Sequence, residues 1–224
     1  MKTRVFMSTV VFVCIAILTT SAQGVVIPLS THSSEPISEA NGVPASWLDA
    51  SIDLSVTNNG QWELSVAVTN LTPEHAGDYA FKITEIYFNT SAPVTSLTLD
   101  SVDGGNVWEW GLYFYEDSIQ CDGFGLFDIV IVSKNLNLAW IDPLETLTFN
   151  IIIEPGTSTY TDADFYDLSA MDGHEGHILA YGAAKFAKTG DPEDLSAYGA
   201  YVPEPATVLM LGLGALVLLR KRRD

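Results

Sequence analysis

A strict alternation of apolar and polar residues on both sides of a short turn is the feature that most constrains this fold. Residues 51–57 place an apolar side chain at every second position, and residues 61–69 do the same from Trp62 to Val68. A period of two puts these apolar side chains on one face of a strand. The intervening Asn58-Asn59-Gly60 is a hairpin turn signal, because Asn and Gly tolerate a positive φ. The two runs therefore predict an antiparallel hairpin with one buried face.

Further segments predict strands because they are rich in branched and aromatic residues and are separated by turn residues. They are Val25–Leu29 as an edge strand, Tyr79–Asn89, Val94–Leu99, Val107–Tyr115, Phe127–Ser133 as a central strand, Glu145–Glu154 and, with a weaker pattern, His177–Phe186. No helix longer than about two turns is expected in this part of the chain, except around Ala163–Met171.

Short strands at this spacing predict an all-β fold, a single β-sandwich over residues 23–190 of an immunoglobulin/cohesin-like or jelly-roll-like kind. The sandwich is expected to lie between an N-terminal signal helix and a C-terminal transmembrane helix. Residues 141–151 resemble a turn and strand of immunoglobulin-like and cohesin-like modules, in which Pro-Gly-Glu precedes a Thr-Phe pair. In this chain Leu144 stands where those modules have glycine.

The alternation within Val107–Tyr115 predicts a strand with two different faces. One face carries Trp108, Trp110, Leu112 and Phe114, and the other carries Tyr113 and Tyr115. An exposed aromatic face can stack on sugar rings. Core packing, or pairing with a second sheet, is the more frequent role of such a face, so both interpretations stay open.

The amino terminus predicts a secretory signal peptide over residues 1–22. Lys2 and Arg4 precede the apolar stretch Val5–Leu18, and small residues lead to an expected cleavage after Ala22. The Sec translocon is then the expected export partner, and an uncleaved anchor helix is the alternative. After cleavage Cys121 is the one cysteine that remains, so an intrachain disulfide is excluded and stability depends on the core.

The carboxyl terminus predicts a weak membrane anchor. The apolar run Ala206–Leu219 has 14 residues, which as a helix would reach about 21 Å, whereas a bilayer core is about 30 Å thick. The basic tail that follows is expected to stay cytoplasmic. It consists of Arg220, Lys221, Arg222 and Arg223. Pro203 and Pro205 flank Glu204 and hold the preceding segment extended, which suits a processing enzyme.

In its Pro203-Glu204-Pro205 triplet, apolar run and basic end, the segment 202–224 resembles the PEP-CTERM sorting signal of Gram-negative bacteria. The resemblance implies recognition by an exosortase, a membrane-embedded, cysteine-protease-like enzyme that processes the tail. It also implies a transient stay at the inner membrane, followed by the cell surface or an extracellular matrix rich in exopolysaccharide. The alternative is an ordinary C-terminal membrane anchor, which has no need of the triplet and is usually longer.

The segment between the two ends is strongly acidic. It contains four lysines and 26 acidic residues, a net charge of −22. Such a surface repels nucleic acid and anionic lipid, so neither is an expected partner. Residues 191–201 are acidic and small, and they predict a spacer between the sandwich and the tail.

The acidic clusters suggest structural calcium as a possible cofactor. A solvated acidic face is the alternative. Calcium loops use oxygen ligands at alternating positions, and Asp162, Asp164 and Asp167 offer a partial match. A second partial match is Asp100, Asp103 and Asn106. His174 and His177 are three apart and flanked by glycines, whereas zinc proteases need two histidines four apart on a helix. The segment that contains His174 and His177 is therefore expected to be a polar loop.

Catalytic motifs are missing from the sequence. It has no Gly-x-Ser-x-Gly elbow, Walker loop or dinucleotide fingerprint. With 26 acidic residues in this segment, carboxylate pairs suited to glycoside hydrolysis arise by chance. The alternating threonines Thr157, Thr159 and Thr161 do not recur, which disfavours an ice-binding array.

The leading hypothesis is a non-enzymatic surface or matrix protein that an exosortase processes and that associates with exopolysaccharide or biofilm. A carbohydrate-binding module is the alternative, and a secreted glycan-active enzyme is the third.

Overall fold

The computed structural model describes residues 24–29, 31–32, 48–73, 81–121, 123–134, 139–154, 159–173, 178–188 and 196–202. Over these ranges the chain forms eleven strands and two short 3₁₀ helices, at Val107–Glu109 and Asp162–Phe165. The strands are β1 (Val25–Pro28), β2 (Thr31–His32), β3 (Ala50–Asn58), β4 (Trp62–Asn70), β5 (Phe81–Phe88), β6 (Ser96–Asp103), β7 (Trp110–Gln120), β8 (Leu126–Ser133), β9 (Thr146–Glu154), β10 (Gly182–Lys188) and β11 (Ser196–Tyr201).

The strands form two antiparallel sheets that pack face to face. The five-stranded sheet has the order β1-β3-β4-β9-β6, and the six-stranded sheet has the order β2-β11-β10-β5-β8-β7. Their facing residues share one apolar core. Trp110 of β7 meets Phe149 of β9 across it, with ring centroids 4.9 Å apart and planes at 76°. The prediction of an all-β fold with two packed sheets is therefore confirmed.

The predicted hairpin is β3 and β4, paired from Ala50 with Asn70 to Asn58 with Trp62. Gly60 has φ +96°, and its backbone N–H donates to the side-chain oxygen of Asn58 at 2.9 Å. Alternate residues of both strands, including Ile52 and Val66, are fully buried. The turn chemistry and the apolar period therefore act together to set the register.

Most other strand predictions are also confirmed. β1 lies at the edge of its sheet, as expected for Val25–Leu29. β8 lies between β5 and β7, which explains why its sequence is nearly all apolar. β9 lies between β4 and β6. Pairing with a neighbour on each side allows these strands to bury both their backbones and their side chains.

The prediction that Trp108 shares one strand face with Trp110 is wrong. Residues 107–109 form a 3₁₀ helix instead of the start of β7, and the Asn106 side chain accepts a hydrogen bond from the Trp108 N–H at 3.1 Å. The 3₁₀ turn breaks the period of two. Trp108 is consequently 81% exposed, whereas Trp110 is buried.

The prediction of a spacer over residues 191–201 is wrong for its second half. Ser196–Tyr201 is the strand β11, which pairs with β10 and with β2. The small residues are required by close packing: a Cβ added at Gly199 would lie 2.9 Å from a ring carbon of Phe186 and 3.1 Å from the Leu29 carbonyl oxygen. The sandwich therefore extends to Tyr201, beyond the predicted boundary at residue 190.

Two weaker predictions need adjustment. The helix expected around Ala163–Met171 is only the 3₁₀ turn Asp162–Phe165. The strand expected over His177–Phe186 begins at Gly182. The signal peptide with Ala22, and the tail with Pro203, Glu204, Pro205 and Arg220 to Arg223, lie outside the described residues. Within the described ranges, no helix is long and apolar enough to cross a membrane.

Leu144, which replaces the glycine of the resembling modules, has φ +63°. A left-handed conformation costs a residue with a Cβ about 1–2 kcal/mol, and Leu144 is 64% exposed, so its side chain gives little packing in return. Leu144→Gly is expected to raise the free energy of unfolding by about 0.5–1 kcal/mol, after allowing for the extra unfolded-state entropy of glycine. Equilibrium urea unfolding tests this. The control Leu71→Gly, at an exposed leucine without a positive φ, should lower stability instead.

Candidate functional site

The carboxylates of the first calcium candidate, Asp162, Asp164 and Asp167, accept hydrogen bonds from nearby backbone and side-chain groups. Asp162 accepts from the Val56 N–H at 2.5 Å and so ties the loop to β3. Asp164 accepts from the N–H and the hydroxyl of Thr161 at 2.6 and 2.8 Å. Asp167 accepts from the Leu168 N–H at 2.8 Å. The Asp164 bonds thus cap the 3₁₀ turn, and the Asp162 bond attaches that turn to the five-stranded sheet.

The other metal candidates lie on different elements or outside the described residues. Asp100 lies at an irregularity of β6, Asp103 ends that strand, and Asn106 caps the following 3₁₀ helix. His174 and His177 lie outside the described residues, as does Thr157. Among the residues that the structure describes, no group of three or more His, Cys, Asp or Glu side chains is placed to hold a metal ion. Structural calcium stays a prediction from the sequence.

The outer face of the six-stranded sheet, which points away from the five-stranded sheet, is the most distinctive surface. Tyr87 and Val130 lie on it and join a second apolar cluster with Cys121, Phe124 and Ala180 from the neighbouring loops. Ser169 holds those loops together: its hydroxyl donates to the Phe124 carbonyl at 2.7 Å and accepts from the Ala180 N–H at 3.0 Å. Loop segments therefore cover one part of this face.

A charged network lies on the same face between β5, β10 and β11. Lys185 donates to Glu85 at 2.8 Å, Tyr87 also donates to Glu85, and the Lys185 ammonium lies 5.8 Å from the ring centre of Tyr198. Burial lowers the pKa of Lys185, but the hydrogen bond and charge of Glu85 outweigh this, and the pKa is raised above 10.5. Burial and Glu85 also raise the pKa of Tyr87.

The raised pKa of Lys185 predicts a pH-dependent contribution to stability. A cation whose pKa is higher in the folded state stabilises fully below its unfolded value of 10.5, and that contribution is lost as the pH rises through the folded value. Lys185→Gln should therefore be less stable than the wild type at pH 7, and the difference should shrink above pH 10.5. Urea midpoints across this range test it, with the exposed Lys134→Gln as control. A difference that stays constant with pH would contradict the prediction.

Tyr113 and Tyr115 extend this face onto the edge strand β7. Their neighbours Leu112 and Phe114 pack against the inter-sheet core, whereas Tyr113 is 45% and Tyr115 60% exposed. Of the two interpretations left open by the sequence, the exposed aromatic face is therefore the one that the structure supports for these two rings. We call Tyr113 and Tyr115 the tyrosine strip.

Two residues that support the strip were missed by the sequence reasoning. A Cβ added at Gly111 would lie 3.1 Å from Cε2 and 3.5 Å from the hydroxyl of Tyr113, so the ring lies over the glycine. The buried Asp128 accepts from the Asp117 N–H at 2.7 Å and the Thr90 N–H at 3.0 Å. Gly111 could have been recognised from the sequence, because it lies two positions before an aromatic residue in a predicted strand. The sequence gives no such signal for Asp128.

Three stacked tyrosines lie where the sandwich ends. The rings of Tyr166 and Tyr181 are 4.1 Å apart and nearly parallel, and Tyr201 stacks on Tyr181 at 5.7 Å. Burial and the two neighbouring tyrosines raise the pKa of Tyr166 to about 12. This stack fixes the end of β11 immediately before the carboxyl-terminal segment.

The described residues thus define an all-β protein of two packed sheets. Its carboxyl terminus carries the PEP-CTERM protein-sorting motif, whose family model matches residues 202–223; this confirms the resemblance seen in the tail. Such a motif implies a membrane-anchored precursor that an exosortase sorts to the surface or the exterior. No curated protein sequence matches the chain.

Two solved structures resemble the chain over 69% of its length. One is described as biomass-sensing modules from putative Rsgi-like proteins of Clostridium thermocellum that resemble the family 3 carbohydrate-binding module of the cellulosome; it is 14% identical, with a TM-score of 0.34 and 98% of that chain covered. The other is described as a unique CBM of Ruminiclostridium thermocellum, and is 10% identical, with a TM-score of 0.33 and 99% of that chain covered.

Proposed function

We propose that this chain is a non-enzymatic surface or extracellular-matrix protein that an exosortase processes after export and that associates with exopolysaccharide or biofilm. The observation that carries the proposal is the position of the sorting motif. β11 ends at Tyr201, and the motif match begins at the next residue, Val202. The finished sandwich is thus joined directly to its sorting signal.

The physical properties of the tail support a temporary anchor. Its apolar run of 14 residues is shorter than the roughly 20 that span a bilayer comfortably. Proline cannot continue a helix, so the sequence predicts that Pro203 and Pro205 keep the junction extended and open to an enzyme. Removal of the tail takes away its four cations, which leaves a body of net charge −22. Such a body is soluble and is repelled by anionic lipid.

The double variant Pro203→Ala/Pro205→Ala tests the processing. In a host that carries the exosortase, the wild type is expected to lose Arg220 to Arg223, and the variant is expected to keep them, because an alanine pair lets the helix extend over the junction. Intact mass and cell fractionation measure both the product and its location. Pro73→Ala, which changes an exposed proline of the body, should be processed like the wild type. A wild-type protein that retains its basic tail would contradict the proposal.

A carbohydrate-binding module is the second candidate. The tyrosine strip favours it, because two aromatic rings exposed on the same face of a strand can stack on sugar rings. The two candidates are compatible, since a matrix protein that binds polysaccharide would hold itself in place after its tail is removed.

A further inference from the structure

The ring of Tyr113 packs closely against Gly111 on the same strand. A Cβ at position 111 would come within 3.1 Å of Tyr113 Cε2 and 3.2 Å of Lys134 Cε, closer than such contacts normally are. Because Gly111 has no Cβ, the Cε2 and hydroxyl end of the ring can lie close to the backbone of β7. The residue is nevertheless 45% exposed, so much of its side chain stays accessible to a ligand. The Lys134 side chain approaches the same glycine.

The far end of the strip is also fixed. The pairing of β7 with β8 shifts register between Phe114 and Ile119, and within that shift Asp117 adopts φ +45°. The buried carboxylate of Asp128 binds the Asp117 N–H, which secures the shifted segment to the sheet. Tyr115 therefore sits on anchored backbone. Two residues along a strand it is about 7 Å from Tyr113 at the Cα atoms.

We propose that the tyrosine strip binds an uncharged polysaccharide chain, with sugar rings stacked on Tyr113 and Tyr115. The proposal rests on the carbohydrate-binding form of the proposed function and names its site and ligand class. The apolar C–H face of a pyranose ring matches a flat aromatic face, and the polar rim of the sugar stays hydrated. The exposed side chains of Glu116, Asp117 and Ser118 follow directly along β7 and offer acceptors for sugar hydroxyls.

The charge of the protein selects the ligand class. With four lysines against 26 acidic residues in the body, an anionic polymer would be repelled over its whole length. Glu116 and Asp117 place negative charge immediately beside the strip, and Lys134 alone does not offset them. An uncharged polysaccharide chain is not repelled by these carboxylates.

A protein partner fits the strip less well. Stable protein interfaces bury about 800 Å² on each partner and have a core depleted of charge. The strip is two rings wide and is followed at once by exposed carboxylates. A single extended chain of sugars needs only a narrow track, which is what two aromatic residues in line on one strand provide.

Affinity electrophoresis of the full chain in detergent tests the proposal, in gels that contain hydroxyethylcellulose, galactomannan or the anionic polymer alginate. The wild type should be retarded by at least one of the two uncharged polymers and not by alginate. Tyr113→Ala, Tyr115→Ala and Gly111→Ala should each weaken retardation about tenfold, the loss expected for a ring contact. Gly111→Ala keeps both tyrosines but displaces the Tyr113 ring and the end of the Lys134 side chain. Tyr113→Phe keeps the ring and should bind as the wild type does.

Three outcomes would overturn the proposal. They are the absence of wild-type retardation by both uncharged polymers, retardation unchanged in Tyr113→Ala and Tyr115→Ala, and tyrosine-dependent retardation by alginate. Urea midpoints identify any variant that is not folded, and Tyr115→Ala, at a 60% exposed residue, keeps the test valid if Gly111→Ala unfolds. Intact mass in the exosortase host is read separately. Normal processing without polymer binding would reject this site and leave the delivery proposal standing.

Discussion

Trp110→Ala is expected to lower the free energy of unfolding by about 3–5 kcal/mol, the usual cost of removing a large buried aromatic side chain. Trp110 is fully enclosed, and its ring contacts Phe149 of the opposite sheet at 4.9 Å between centroids. The substitution therefore opens a cavity between the sheets and removes a ring pair that joins them. Equilibrium urea unfolding, followed by tryptophan fluorescence and circular dichroism, measures the change.

Trp108→Ala is the matched control for this substitution. The two tryptophans are two residues apart, but Trp108 is 81% exposed, so its removal should change stability by no more than about 0.5 kcal/mol. A similar loss in both variants would mean that Trp108 is also part of the core, as the alternation alone suggests.

Asn70→Ala is expected to cost about 3 kcal/mol, because it leaves several buried backbone groups without a partner. The Asn70 side chain donates to the carbonyl oxygens of Phe81 at 2.8 Å and Ile141 at 3.0 Å, and it accepts from the Thr72 N–H at 3.1 Å. It thus joins the end of the five-stranded sheet to the start of β5 and to the loop before β9. Water cannot replace these bonds, since the residue is completely buried.

Asn150→Ala is the comparison for Asn70. Asn150 is on the neighbouring strand β9 and is only partly buried, and its side chain makes a bond of 3.0 Å to the Ser101 hydroxyl. Its loss should cost about 1 kcal/mol or less. Urea midpoints of the two variants should therefore differ clearly, and equal midpoints would contradict the joining role of Asn70.

The fold could be predicted from the sequence wherever burial on one face repeats with a period of two. The β3–β4 hairpin satisfies that condition along its whole length, and its turn adds a glycine with a positive φ. The same rule failed at Trp108, because a period of two does not account for capping side chains that favour a turn over a strand. Asn106 is a good cap, and its side chain stabilises a 3₁₀ turn at the point where the strand was expected to begin.

β11 could not be recognised by hydrophobicity because its burial is achieved with small residues. Ala197 and Ala200 are buried, and Gly199 lies against Phe186 and the backbone of Leu29. In a sequence, such residues resemble a linker. Only the packing of the neighbouring strands shows that nothing larger fits there.

The tyrosine strip was predictable in part. Alternation placed Tyr113 and Tyr115 on the face opposite Leu112 and Phe114. The structure has the same two faces, with the tyrosines exposed and the other two residues packed against the core. The supports of the strip depend on contacts between residues far apart in the chain. Asp128 meets Thr90 and Asp117 across three segments, and a single sequence gives no signal for a contact of that kind.

The pairing of β2 with β11 means that the six-stranded sheet can be completed only when the end of the body has been exported. β2 meets β11 through Thr31 with Ala200 and His32 with Gly199, so the beginning and the end of the sandwich are neighbours. In a chain that crosses a membrane amino end first, β2 must wait for nearly the whole body to emerge. The strand that completes its sheet arrives together with the sorting motif at Val202. An exosortase would therefore encounter the cleavage segment at the moment the domain closes, and incompletely exported chains would present neither a closed sheet nor a substrate.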